Sequence, residues 1–154
     1  MAPAQSGGPG SNSGDVGDLR RHGVPASAGN LPVLRDEVDE WARAAGLGGE
    51  IAESLALATY EAMANAVEHA YGGAAGFLDV DAVRSAAAIE VTVTDHGAWR
   101  PPHESDPQRK RGLPLIERLA DEAVVTSGEH GTRVQMRWAV PVRHSDDDMA
   151  SADA

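Results

Sequence analysis

Residues 50–70 carry a long amphipathic helix pattern, and its place in the order of elements restricts the fold more than any bulk property. At about 100° per residue, Ile51, Leu55, Ala58, Ala62 and Ala66 form one apolar stripe, while Glu61, Asn65 and Glu68 fall together on another face. Tyr71-Gly72-Gly73 closes the run. A second helix precedes it: Leu34, Val38, Trp41 and Ala45 recur at helical spacing, Ser27 or Asn30 offers an N-cap, and the glycines at 46–49 stop it. Pro32 is tolerated because it falls in the first turn. A short strand at 19–24 comes first and ends at Pro25. Beyond the helices, 77–83 and 88–94 alternate or run apolar with β-branched residues, as paired strands do. An irregular stretch over 95–111 leads to a short helix at 113–121. Strands at 122–127 and 132–140 follow, joined by Gly128-Glu129-His130-Gly131. Helices grouped in this way, rather than alternating with strands, predict an α+β two-layer sandwich. Its sheet is expected to be mixed, mostly antiparallel, and covered on one face by helices.

With 154 residues the chain is long enough for one domain with its own core. Residues 1–16 read as a disordered leader, 17–143 as the folded domain and 144–154 as an acidic disordered tail carrying Asp146, Asp147, Asp148 and Asp153. Thirteen Lys and Arg against twenty-four Asp and Glu give a formal charge of −11, which disfavours nucleic acid and anionic membrane as partners. The sign reverses locally between His96 and Arg111, where Arg100, Arg109, Lys110 and Arg111 face only Glu104 and Asp106. The absence of cysteine excludes disulfides, thiolate nucleophiles and Cys-based zinc sites, and fits a reducing compartment. The longest stretch without a charged residue, 1–14, is polar and resembles neither a membrane span nor a signal peptide. A cytoplasmic location is the expectation.

Four places along the chain could carry chemistry. The amide oxygen of Asn65 is a suitable neutral ligand for Mg²⁺, and Glu61, one turn earlier, could serve as general base. Taken alone, both residues read more simply as a solvated helix face. Asp95 ends a strand and is followed by His96-Gly97; its carboxylate could accept a hydrogen bond from an exocyclic amine while Gly97 lets a flat ligand approach. Alone, that is an ordinary turn. Gly112 opens the short helix after Arg109-Lys110-Arg111, a place where free N–H groups and the helix dipole attract phosphate. Thr132 enters the last strand, where its hydroxyl could reach a pocket. The chain lacks G-x-x-x-x-G-K-[ST], G-x-G-x-x-G and G-x-S-x-G, so the commonest nucleotide loops and the hydrolase elbow are excluded. Trp41, Trp99 and Trp138 are most simply core or lid residues, with the helix of Trp41 a candidate dimer contact.

The order of these signals is more specific than any one of them. Glu61-Ala-Met-Ala-Asn65-Ala-Val-Glu-His69-Ala-Tyr71 resembles the N-box of the gyrase and histidine-kinase ATPase superfamily, with its Bergerat ATP-binding fold. Asp95-His-Gly97-Ala-Trp99-Arg100-Pro101-Pro102 resembles the first glycine box, Arg111-Gly112-Leu-Pro-Leu-Ile the second, and Gly131-Thr132-Arg-Val-Gln-Met the closing strand. Within that superfamily the chain is similar to the bacterial anti-sigma-factor serine/threonine-protein kinases. The resemblance implies ATP and Mg²⁺ as cofactors, phosphorylation of a serine on an anti-anti-sigma partner, and sequestration of a sigma factor, with a homodimer among the expected assemblies. By position, Asn65 would hold Mg²⁺ and Glu61 would be the catalytic base. Asp95 would read the adenine amine, Gly97 would lie against the base, Arg111 and Gly112 would meet phosphate, and Thr132 would back the adenine pocket. Trp99 stands where the superfamily commonly has a second glycine, and Lys110-Arg111-Gly112 where it has G-x-G. The second departure motivates an alternative, a non-catalytic ATP-binding regulatory module.

Overall fold

Strict alternation along three strands fixes which side of the sheet is covered. Leu78, Val80 and Ala82, then Ile89, Val91 and Val93, then Val134, Met136 and Trp138 are all buried, while the residues between them face the other way. The computed structural model describes residues 16–70, 76–97 and 109–140. In order these form β1 (Leu19–Pro25), α1 (Asn30–Ala44), α2 (Gly49–Asn65), a π turn (Ala66–Ala70), β2 (Phe77–Arg84), β3 (Ala88–Asp95), α3 (Arg109–Leu119), β4 (Glu122–Gly128) and β5 (Gly131–Ala139). The five strands make one sheet in the order β1-β2-β3-β5-β4.

Every neighbouring pair is antiparallel, so the expectation of a mixed sheet is corrected while the α+β sandwich stands. The reason is the path of the chain. β4 runs in the same sense as β3, but the hairpin returns β5 between them and removes the one parallel contact the order allows. Leu31, Leu34, Val38 and Trp41 of α1, Leu55, Ala58, Ala62 and Met63 of α2, and Ile116 of α3 meet the apolar strand face in a single core. Each large aliphatic side chain buried there contributes about 1.5–3 kcal/mol. α2 packs against both α1 and α3, and its many alanines let these neighbours come close.

Local chemistry shifts several expected boundaries. Neither Ser27 nor Asn30 caps α1 with its side chain; the amide nitrogen of Asn30 instead donates to the Pro25 carbonyl at 2.9 Å and ties the helix to the end of β1. The α-helical count ends at Asn65, so the 100° rule that grouped Glu68 with Glu61 and Asn65 does not extend through the π turn. α3 begins at Arg109 rather than 113, because Arg and Lys are good helix formers even without an apolar phase to mark them. Gly112 is therefore the fourth residue of that helix and does not open it.

Trp41 is buried in the core and donates its indole N–H to the Gly17 carbonyl at 2.8 Å, as expected of a core residue. Trp138 does the same toward Leu119 at 2.8 Å, locking the end of α3 to β5. Val16 also packs on the core. Trp99, the acidic tail and residues 1–15 lie outside the described residues. Among the described residues no helix is long and apolar enough to cross a membrane.

Candidate functional site

Asp95 is the last residue of β3 and lies on the inner, core-facing side, with only 6% of its surface exposed. In the sheet it pairs with Thr132 of β5 on one side and Leu78 of β2 on the other. A buried carboxylate needs partners, and two backbone N–H groups supply them: Gly97 and Thr132 each donate to Oδ1 at 3.2 Å. Among the described residues no bond falls on Oδ2, so one oxygen anchors the group and the other is available. Burial pushes the carboxyl above its ordinary range, against the opposing pull of the two N–H groups and of His96.

This packing requires glycine at 131. Its φ of +134° is disallowed for side-chain-bearing residues, and a Cβ there would overlap the Asp95 carbonyl oxygen and lie 2.8 Å from the carbonyl carbon. The hairpin thus brings Thr132 against Asp95, and together with the ends of β3 and β4 it borders a concavity of about 390 Å³. Thr94, Asp95, Ser127, His130 and Thr132 are among its walls. The Thr132 hydroxyl lies 3.4 Å from that of Ser127.

Glu61 and Asn65 occupy the last turns of α2, both half-buried. α2 contacts β3, and the π turn that follows Asn65 contacts β5, so the carboxylate and the amide are carried by the helix that touches the strands of Asp95 and Thr132. Gly97 is buried beside Asp95. Arg111 and Gly112 are the third and fourth described residues of α3. Residues 98–108, including Trp99 and Arg100, lie outside the described residues. The structure therefore places Asp95, Gly97 and Thr132 together. It sets Glu61 and Asn65 on an adjoining element, with Arg111 and Gly112 at the start of a separate helix.

A second concavity, about 300 Å³, opens at the far end of β5 between Ile51, Leu119, Asp121 and Trp138. Two of its polar groups are engaged: Asp121 accepts from the Ala139 N–H at 2.7 Å, and the Trp138 indole from this wall is bonded to Leu119. It contains none of the residues expected to carry chemistry.

Sequence reasoning missed the outer support of the Asp95 turn. His96 crosses to the uncovered face, where its Nε2 lies 2.7 Å from Asp79 Oδ2 on β2. Asp79 also accepts the Gly23 N–H at 2.8 Å. Burial pushes the Asp79 carboxyl up, but the Gly23 N–H and the adjacent imidazoles outweigh it and hold the group below its ordinary range. The alternation of β2 did mark residue 79 as outward-facing; its partners could not be read from spacing.

A family profile described as the histidine kinase-like ATPase domain matches residues 24–138. Among solved structures, the chain resembles the RsbU and RsbW domains of Rv1364c from Mycobacterium tuberculosis, with 21% identity and a TM-score of 0.64. The likeness covers 80% of this chain and 32% of that one. This chain therefore spans about a third of the length of that neighbour.

Proposed function

Because this chain belongs to the histidine kinase-like ATPase domain family, we propose that it binds Mg-ATP beside Asp95 and transfers the terminal phosphoryl group to a serine of an anti-anti-sigma protein. The observation that carries the nucleotide half is the buried Asp95 carboxylate, held by two N–H groups through one oxygen, with the other left to accept the 6-amino group of adenine. Gly97 would lie flat against the base, and Thr132 would close the pocket behind it.

Phosphoryl transfer asks for positioning and charge neutralisation rather than covalent chemistry from the protein. Among the described residues no group of three or more His, Asp or Glu could cage a metal, so Mg²⁺ would need phosphate oxygens and water beside the Asn65 amide oxygen, which is how that ion is usually held. When bound, the ion would offset charge on the phosphates. Glu61, one helical turn before Asn65, would take the proton from the attacking serine hydroxyl. The first-turn N–H groups of α3 and the cations Arg109, Lys110 and Arg111 would meet the phosphates. In its other state the protein would hold a sigma factor, in the cytoplasm and as a homodimer.

One observation favours the second reading, a nucleotide-binding module without transfer: residues 109–111 are helical where a glycine-rich phosphate lid is the superfamily habit. The experiment that separates the two is transfer from γ-labelled ATP to a candidate anti-anti-sigma protein. Wild type should label the partner, and Glu61→Gln should lose the label by about 10²-fold or more while still binding Mg-ATP. Binding without transfer by wild type would select the module.

A further inference from the structure

The sheet's uncovered face carries two His–Asp pairs of the same kind, and only one of them touches the turn that holds Asp95. His22 Nε2 lies 2.7 Å from Asp81 Oδ1, and His96 Nε2 lies 2.7 Å from Asp79 Oδ2. Asp79 and Asp81 are successive outward residues of β2. The difference lies in what each pair is joined to. Asp79 uses both oxygens: Oδ2 for His96, and Oδ1 for the N–H of Gly23. Gly23 sits in a bulge of β1, with φ at +65° and a register shift between Arg21 and Val24, so its N–H points at a side chain instead of a neighbouring strand. A continuous chain of bonds therefore runs from the β1 bulge through Asp79 to His96, the residue after Asp95.

We propose that Asp79 and His96 are positioning residues that hold the Asp95–Gly97 turn from the outer face and so fix the discrimination between 6-amino and 6-oxo purine nucleotides. This deepens the nucleotide-binding reading given above and rests on it. From the inner side the turn is held through one oxygen of Asp95 by Gly97 and Thr132. Those two bonds both fall on Oδ1, and among the described residues none fixes Oδ2. The outer bond pins the next residue, so the backbone leaving β3 cannot rotate and Oδ2 keeps one direction. A 6-amino group donates to that oxygen; a 6-oxo group presents a lone pair to it and is repelled. Loss of the outer bond should cost the amine its aligned acceptor while barely changing a ligand that never used it.

The test measures equilibrium binding of ATP and of inosine triphosphate to the full chain for wild type, Asp79→Asn, His96→Gln and, as the matched pair elsewhere on the face, Asp81→Asn. Thermal stability without nucleotide is recorded for each. Asp79→Asn and His96→Gln should weaken ATP by about fivefold or more and inosine triphosphate by less than about twofold, so the ATP preference falls. Asp81→Asn should leave the preference unchanged whatever it does to stability. Equal weakening of both nucleotides, an unchanged preference, or the same loss from Asp81→Asn would overturn the positioning role while leaving nucleotide binding intact. If one variant does not fold, the other decides. Failure of wild type to bind ATP at all would instead overturn the functional reading beneath it.

Discussion

Replacing Gly131 with alanine should unfold the site from its tightest point. The native φ of +134° lies outside what a residue with a Cβ adopts, at a strain of about 1–3 kcal/mol. The new methyl would also occupy the position of the Asp95 carbonyl oxygen, so β3 and β5 must separate at that rung. Separation breaks the bond from the Thr132 N–H to the Asp95 carboxylate, worth about 1.5–3 kcal/mol for a charged acceptor. The two effects together predict a loss of about 2.5–6 kcal/mol, a large part of the 5–15 typical of a domain. Gly128, its register partner across the hairpin, supplies the comparison: its φ is not positive and nothing lies within 4 Å of a Cβ built there. Gly128→Ala should change stability by less than about 1 kcal/mol. Urea unfolding of the two variants, followed by fluorescence and circular dichroism, measures the difference through the midpoints at constant slope. A loss below about 1 kcal/mol for Gly131→Ala, or an equal loss for both, would show that the close approach of the hairpin to Asp95 is not as described.

Three further outcomes can be checked in the same way. Because burial raises the Asp95 carboxyl in the folded state, the fold holds that proton more tightly than the unfolded chain; stability gained at acid pH is lost as pH rises from below the ordinary value of 3.8 through the raised one. The stability of wild type relative to Asp95→Asn should therefore fall across that window in pH-dependent urea titrations, and a rising difference would refute the assignment. Trp138→Phe removes the bond to Leu119 and part of a buried ring, and should lower stability by about 1–3 kcal/mol, with earlier exchange of the α3 amides. Arg21→Ala breaks the ion pair to Glu37, 2.7 Å long but exposed, and chemical denaturation should show a change under about 1 kcal/mol that vanishes in high salt.

How much the sequence disclosed depended on whether a residue's partners were local. The alternation places β2 and β3 within one residue because burial on a single face imposes a period of two, which their own side chains record. The pattern starts α3 late because Arg109, Lys110 and Arg111 have no apolar phase, and it hides the π turn because an alanine-rich run is equally compatible with a 3.6-residue count. Asp95, Gly97 and Thr132 could be picked out as positions. That Asp95 and Thr132 are opposite each other depends on β5 entering between β3 and β4, which no pattern of residues states. The support from Asp79 was illegible for a different reason. It joins residues 17 positions apart across a face where a carboxylate and a histidine each look like ordinary solvated groups.

The two margins of the sheet are finished differently. β1 ends it with Arg20 and Arg21, a bulge and Pro25, all of which spoil the regular row of donors and acceptors that another strand would need. β4 has none of these: Glu122 is its only charged residue, and Val124 and Val125 are 56% and 41% exposed along an edge that no other described strand pairs. What keeps two such edges from joining is therefore not local. The −11 charge of the whole molecule makes copies repel one another at low ionic strength, and salt or acid near the sequence pI of about 4.8 removes that repulsion. The mean field thus opposes contact between copies, and among the described strands β4 is the edge with most to gain from that repulsion.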